Sequence, residues 1–281
     1  MRTRPALLGA FVIAAAPVSA QMRVMAQPNH SPLVTFRIVF TTGAAADPAA
    51  SPGLAYLTAQ MIANGGSKAL TFQQIEDAMF PMASSFDAQV DKEMTTFSGS
   101  THLDNLEAYY GLIRGMLLEP GWREDDFKRV RDDCINGIKS GLRNNDEELA
   151  KEVLYSDIYQ GMPYGHYNGG TVTALEALTL DDVKHFYSRH YAQGNLILGL
   201  SGGFSPAFLD RVKADFRRLP QISGLGRVTR NRRSFRRIAR RSWKRMRARR
   251  LFRWGFLFRA RGRIPISRLC WWPRRIWAST A

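Results

Sequence analysis

Cysteine is nearly absent from this sequence of 281 residues: Cys134 and Cys270 stand far apart in segments of different character. They can build neither a disulfide framework nor a C-x-x-C metal knuckle. Histidine is scarce as well, with His30, His102, His166, His185 and His190 the full set. His185 and His190 are five residues apart, about 140° around a helix, so they cannot grip one ion as an i, i+4 pair can. No histidine follows Ser201, which removes the general base that the G-x-S-x-G pattern at Gly199-Leu200-Ser201-Gly202-Gly203 would need. That stretch reads as a glycine-rich strand-to-helix turn. Acidic residues are missing altogether from position 221 onward.

This last absence decides how the net charge of +16 is read. Taken whole, 40 basic against 24 acidic residues suggests nucleic acid or an anionic membrane as partner. Residues 221–281, however, hold 20 of the basic residues, while residues 21–220 carry 18 basic and 24 acidic ones. The body is therefore net acidic and gives no electrostatic case for nucleic acid. The tail has 19 Arg, a single Lys (Lys244) and five of the six Trp. An arginine-rich nucleic-acid arm and a membrane contact are two functional versions of such a composition. A third is a shifted reading frame or a gene fusion, because Arg, Trp, Gly, Pro and Ala are what GC-rich codons give out of frame. Under that reading the tail is disordered, its like charges having no acidic partners.

The first 20 residues read as an export signal. Arg2 and Arg4 precede the apolar run Ala6 to Ala16, and Val18-Ser19-Ala20 offers small residues for cleavage. The run is too short for the roughly 20 residues of a spanning helix. The expected compartment is the periplasm or the exterior.

Between the two ends the pattern is that of one α+β domain, residues 21–220. Val34, Phe36, Ile38 and Phe40 alternate along a half-buried strand. Ser51-Pro52 reads as the N-cap and first residue of a helix running through about Ile62. Thr71 with Gln74 forms a capping box, and Ala83 to Val90 with Glu93 to Thr101 forms a hairpin. Leu103, Leu106, Tyr110, Ile113 and Leu117 share one helix face; Phe127, Val130, Cys134 and Ile138 share another. Further helices are expected at about 147–159, from Thr179 to near Tyr191, and from Ser205-Pro206 to Arg218, with a short strand from Asn195 to Leu200. The acidic clusters at 124–126, 132–133 and 146–148 read as helix starts and solvated faces.

Taken in order, Asp47-Pro48, Gly53-Leu54-Ala55, the helix Phe127 to Ile138, the Pro163-Tyr164-Gly165 loop, Leu178 to Val183 and Gly199 to Gly202 resemble the N-terminal domain of the pitrilysin/insulinase (M16) zinc peptidases. The resemblance covers roughly residues 29–220 and implies a layered fold, a largely antiparallel sheet covered by helices. It stops near Pro220, where a linker to a second domain would begin. Catalytic members carry His-x-x-Glu-His on the first helix: two histidines hold zinc and the glutamate polarises its water. Aligning Gly53-Leu54-Ala55 places Tyr56, Ala59 and Gln60 at those positions, and the family's further ligand, a glutamate, falls at or next to Gly137. None of the four supplies the needed group, so the resemblance implies no zinc in this chain and zinc only in an active partner. The expected role is a zinc-less subunit that helps an active M16 zinc peptidase bind or cleave peptide. The alternatives are a peptide-binding or assembly protein without a peptidase partner, and a truncated pseudogene product. His166 is a candidate contact for a partner or peptide.

Overall fold

A computed structural model describes residues 22–221. The expected signal peptide at 1–20 and the basic tail, apart from Gln221, lie outside the described residues.

Five strands form one sheet in the order β1-β5-β2-β4-β3, namely β1 (Arg23–Pro28), β2 (Leu33–Phe40), β3 (Ser85–Val90), β4 (Thr95–His102) and β5 (Leu196–Gly202). Only β1 and β5 run parallel; the other neighbours are antiparallel. Helices α1 (Leu54–Asn64), α2 (Phe72–Met79), α3 (Leu106–Leu118), α4 (Glu124–Asn136), α5 (Asp146–Ile158), α6 (Val172–Ala177), α7 (Leu180–His190) and α8 (Pro206–Phe216) complete the α+β fold.

The alternation of β2 does what its period requires. Val34, Phe36, Ile38 and Phe40 are buried under the helices, while Leu33, Thr35 and Arg37 are exposed on the opposite face. Aromatic rings knit the helical layer to the sheet: Phe40 lies 4.6 Å from Tyr191, and Phe36 lies 6.3 Å from Phe208, centroid to centroid. Such pairs add about 0.5–1.5 kcal/mol each beyond the area they bury.

Local signals are confirmed where the groups involved are neighbours in sequence. Thr71 and Gln74 make a complete capping box, Thr179 makes another with Asp182, and Ser205 caps α8. Three expectations need correction. Ser51-Pro52 does not open α1; Gly53, at φ +99°, is its N-cap. The reason is Asp47, whose carboxylate accepts hydrogen bonds from the N–H groups of Gly53 and Ala55, both at 2.7 Å. Leu103 leaves the buried face of α3 because residues 103–105 form a 3-10 turn and Leu103 is exposed. Ser201 sits inside β5, opposite Thr35, rather than at a turn. Two elements went unforeseen, β1 and the six-residue α6.

Helix α4 passes into a π-helical turn, Gly137–Leu142. The wider turn follows the loss of α-helical pairing, with Arg143 N–H reaching back to the Ile138 carbonyl at 3.2 Å.

Candidate functional site

The first helix and the π turn meet at a cavity of about 340 Å³. Tyr56 enters it from α1; Cys134 and Gly137 enter from α4 and the π turn; Tyr167 and Gly169 enter from the loop before α6; Glu148 stands on α5. The cavity exists partly because Gly137 and Gly141, one turn apart, contribute no side chains. A Cβ at either meets no atom within 4 Å.

Sequence alignment thus brought Tyr56 and Gly137 to one site, 81 residues apart in the chain. Ala59 is different: it is fully buried and packs in the core. Gln60 is committed elsewhere, its Nε2 donating to the Ala88 carbonyl on β3 at 3.3 Å and its Oε1 accepting from Asn64 Nδ2 at 2.9 Å. Asn168 Nδ2 likewise donates to the Val90 carbonyl at 3.0 Å. Two amide side chains therefore occupy carbonyls of the edge strand β3.

The donors at the positions aligned with the zinc motif are poorly suited to a zinc ion. Burial raises the Tyr56 phenol above its ordinary pKa, with smaller contributions from Cys134 and Tyr167, so it stays protonated. The Cys134 thiol is pushed up to about 12, chiefly by burial and then by Asp133. A protonated phenol is a weak ligand, and an amide is no substitute for imidazole. Among the described residues, no group of three or more His, Cys, Asp or Glu side chains is placed to hold a metal ion.

Beside the cavity lies a polar cluster that sequence reasoning missed. His166 Nε2 lies 3.2 Å from Asp47 Oδ2, whose side chain is fully buried, and Lys92 Nζ donates to the His166 carbonyl. Burial lowers the Lys92 pKa, opposed by Glu152 and Asp47; burial raises that of Glu152, opposed first by Lys92. The residues 161–170 are thereby fastened to the start of α1. Gly53 and Gly170 make the approach possible, since a Cβ on Gly170 would fall 2.1 Å from the Pro52 carbonyl oxygen. Both sequence signals, Asp47-Pro48 and His166, were visible, but no local pattern connects residues 119 apart.

His190, one of the two histidines on α7, faces Thr42 rather than the cavity: its Nδ1 is 3.2 Å from Thr42 Oγ1. Burial, helped by Arg189, lowers its pKa to about 4.

A sheet with one helical layer, and a first helix that meets a later helix at a cavity, define the layered architecture of M16 peptidases. Residues 23–171, over half of the chain, match the insulinase family, peptidase family M16, and the chain belongs to it. It is similar to the mitochondrial-processing peptidase subunit beta of Dictyostelium discoideum, 19% identical over 200 residues, covering 71% of this chain and 42% of that protein. The fold resembles that of a peptidase M16 inactive domain from Pseudomonas fluorescens at a TM-score of 0.68 and 23% identity, covering 75% of this chain and 51% of that one. It also resembles the periplasmic protease PqqL from Escherichia coli at a TM-score of 0.65 and 15% identity, covering 74% of this chain and 24% of that one. The chain thus spans about half, or less, of the length of the proteins it matches. Among the described residues no helix is long and apolar enough to cross a membrane.

Proposed function

We propose that this chain is a zinc-less M16 subunit that contributes a peptide-contacting surface to an active M16 zinc peptidase and does not itself hydrolyse peptides. The observation that carries the reading is the occupancy of the four positions: a protonated phenol at Tyr56, a buried methyl at Ala59, an engaged amide at Gln60 and no side chain at Gly137. Hydrolysis by the family's route needs a zinc-bound water and a carboxylate base. Neither has a donor at these four positions, so the chain is assigned no zinc of its own and zinc belongs to the partner. The cavity between Tyr56 and Tyr167, with Glu148 at its rim, is the surface assigned to peptide. A relative named as a subunit and a structural neighbour named as an inactive domain support this reading. The signal-like N-terminus and a periplasmic neighbour support action outside the cytoplasm.

The test is to assay the purified chain on unstructured peptides with and without added zinc, alone and with a His-x-x-Glu-His homologue encoded beside it. The expected outcome is no turnover alone, co-purification with the homologue, and faster turnover by the pair. Zinc bound near one equivalent, lost on Tyr56→Phe or Gln60→Leu, would refute the reading. Peptide binding by the chain without any such homologue would favour a peptide-binding protein that needs no peptidase.

A further inference from the structure

The two edges of the sheet are treated differently. On β3 the carbonyls of Ala88 and Val90 are taken by the amides of Gln60 and Asn168, and α1 packs alongside. On β1 nothing comparable happens. Its inner edge pairs with β5, and among the described residues no hydrogen bond reaches its outer edge. Proteins that stay monomeric blunt such an edge with lysine, an internal proline or a bulge. In β1, Arg-Val-Met-Ala-Gln-Pro, the lone charge is at the first position and the proline at the last. Five of its six residues are exposed, including Met25 at 64%.

We infer that β1 is a self-association edge, on which β1 of a second copy of this chain pairs antiparallel across a two-fold axis to make a continuous ten-stranded sheet. The sequence of the strand selects this occupant and its register. Residues directly opposite one another in a ladder must lie on the same face of the sheet. Val24 packs towards the core, which puts Arg23, Met25 and Gln27 on the open face. A two-fold axis through Met25 then sets Met25 against Met25, Val24 against Ala26 and Arg23 against Gln27. Apolar residues meet apolar ones, and each arginine faces an amide. Parallel pairing in register would instead stack Arg23 on Arg23. A closed two-fold pair also consumes both bare edges, so growth stops at the dimer. One strand pair is a small contact beside a standard interface of roughly 1,600 Å², so the dimer dissociates on dilution.

Sedimentation velocity of the full chain over a wide concentration range should show a reversible monomer–dimer equilibrium. Met25→Lys places two cations at the axis and should leave only monomer with an unchanged circular dichroism spectrum, whereas Gln89→Lys on β3 should leave the dimer intact. In a Cys270→Ser background, Met25→Cys should give a disulfide-linked dimer under mild oxidation, because the two thiols are direct cross-strand neighbours. Three results overturn the inference: a chain monomeric at every concentration; a dimer indifferent to Met25→Lys that also fails to cross-link; or a monomer whose residues 23–28 are strongly protected from hydrogen exchange, which would mean that another part of the same chain covers the edge.

Discussion

Asp47 is expected to matter far more to this domain than its place in a turn-rich loop suggests. Its carboxylate is fully buried and accepts the N–H groups of Gly53 and Ala55 at 2.7 Å each, besides facing His166 Nε2 at 3.2 Å. Asp47→Ala strands two first-turn donors of α1 and unfastens the loop that carries Tyr167. An N-cap is worth about 0.5–2 kcal/mol and a hydrogen bond to a charged group about 1.5–3. Part of this is returned because a buried charge no longer needs solvating. The net loss is about 2–4 kcal/mol, a large share of the roughly 5–15 kcal/mol that holds a domain together. Urea denaturation measures it, with the slope unchanged and the midpoint lowered. The control is Ser51→Ala, the residue that local pattern nominates as the cap, expected to cost under about 0.5 kcal/mol. Hydrogen exchange should rise both at the start of α1 and across residues 161–170 in Asp47→Ala. Equal costs for the two variants, or faster exchange in α1 alone, would refute the argument that one carboxylate ties helix and loop together.

Three further outcomes follow from the packing. Gly99→Ala should destabilise by about 2–3 kcal/mol, because its Cβ would fall 1.9 Å from Tyr109 Oη and 2.4 Å from the Ser85 carbonyl oxygen. Adding Tyr109→Phe, which removes the first clash along with the 2.7 Å bond to Ser85, should make the double variant cost less than the sum of the singles in a double-mutant cycle. Burial holds His190 at about 4 against an ordinary 6.5, so the unfolded chain binds the extra proton between those values and stability falls as pH drops from 6.5 towards 4. Because the ring is partly exposed, the loss is about 1–2 kcal/mol, and His190→Gln should flatten that part of the stability–pH curve. Cys134, buried and with its pKa near 12, should resist thiol reagents in native Cys270→Ser protein and react quickly once urea unfolds it.

What the sequence disclosed and what it hid divide along the range of the interactions. The Thr71–Gln74 capping box, the Thr179 cap, the β3–β4 hairpin and the buried face of β2 depend on residues within a few positions of one another, and all are found where pattern places them. Strand β1 carries no apolar alternation, since five of its six residues are exposed; it is a strand because β5 offers it a parallel partner some 170 residues away. Helix α6 spans six residues, too few for a 3.6-residue period to show. Gly53, not Ser51, caps α1, with Asp47 accepting its first N–H groups, because the loop packed against Pro52 decides the local path. At the cavity, Tyr56 and Gly137 were found through likeness to a family, whereas Tyr167 and the Asp47–His166 pair have no signature at any spacing.

Under the proposed function, the four positions aligned with the zinc motif differ in what now holds them. Gly137 opens space and supports nothing, Tyr56 lines the cavity wall, and Gln60 has joined the hydrogen bonding of β3. Only Ala59 is in the packed interior, where a glutamate would have to enter a site with no accessible surface. Restoring the motif by Tyr56→His, Ala59→Glu, Gln60→His and Gly137→Glu therefore meets unequal resistance. Gly137→Glu has room. Gln60→His surrenders the bonds to Ala88 and Asn64. Ala59→Glu buries a carboxyl among apolar neighbours, a penalty of several kcal/mol unless metal or a hydrogen bond repays it. Of the four, the position aligned with the family's general base is thus the most deeply buried, and it sets the greatest resistance to restoring the motif.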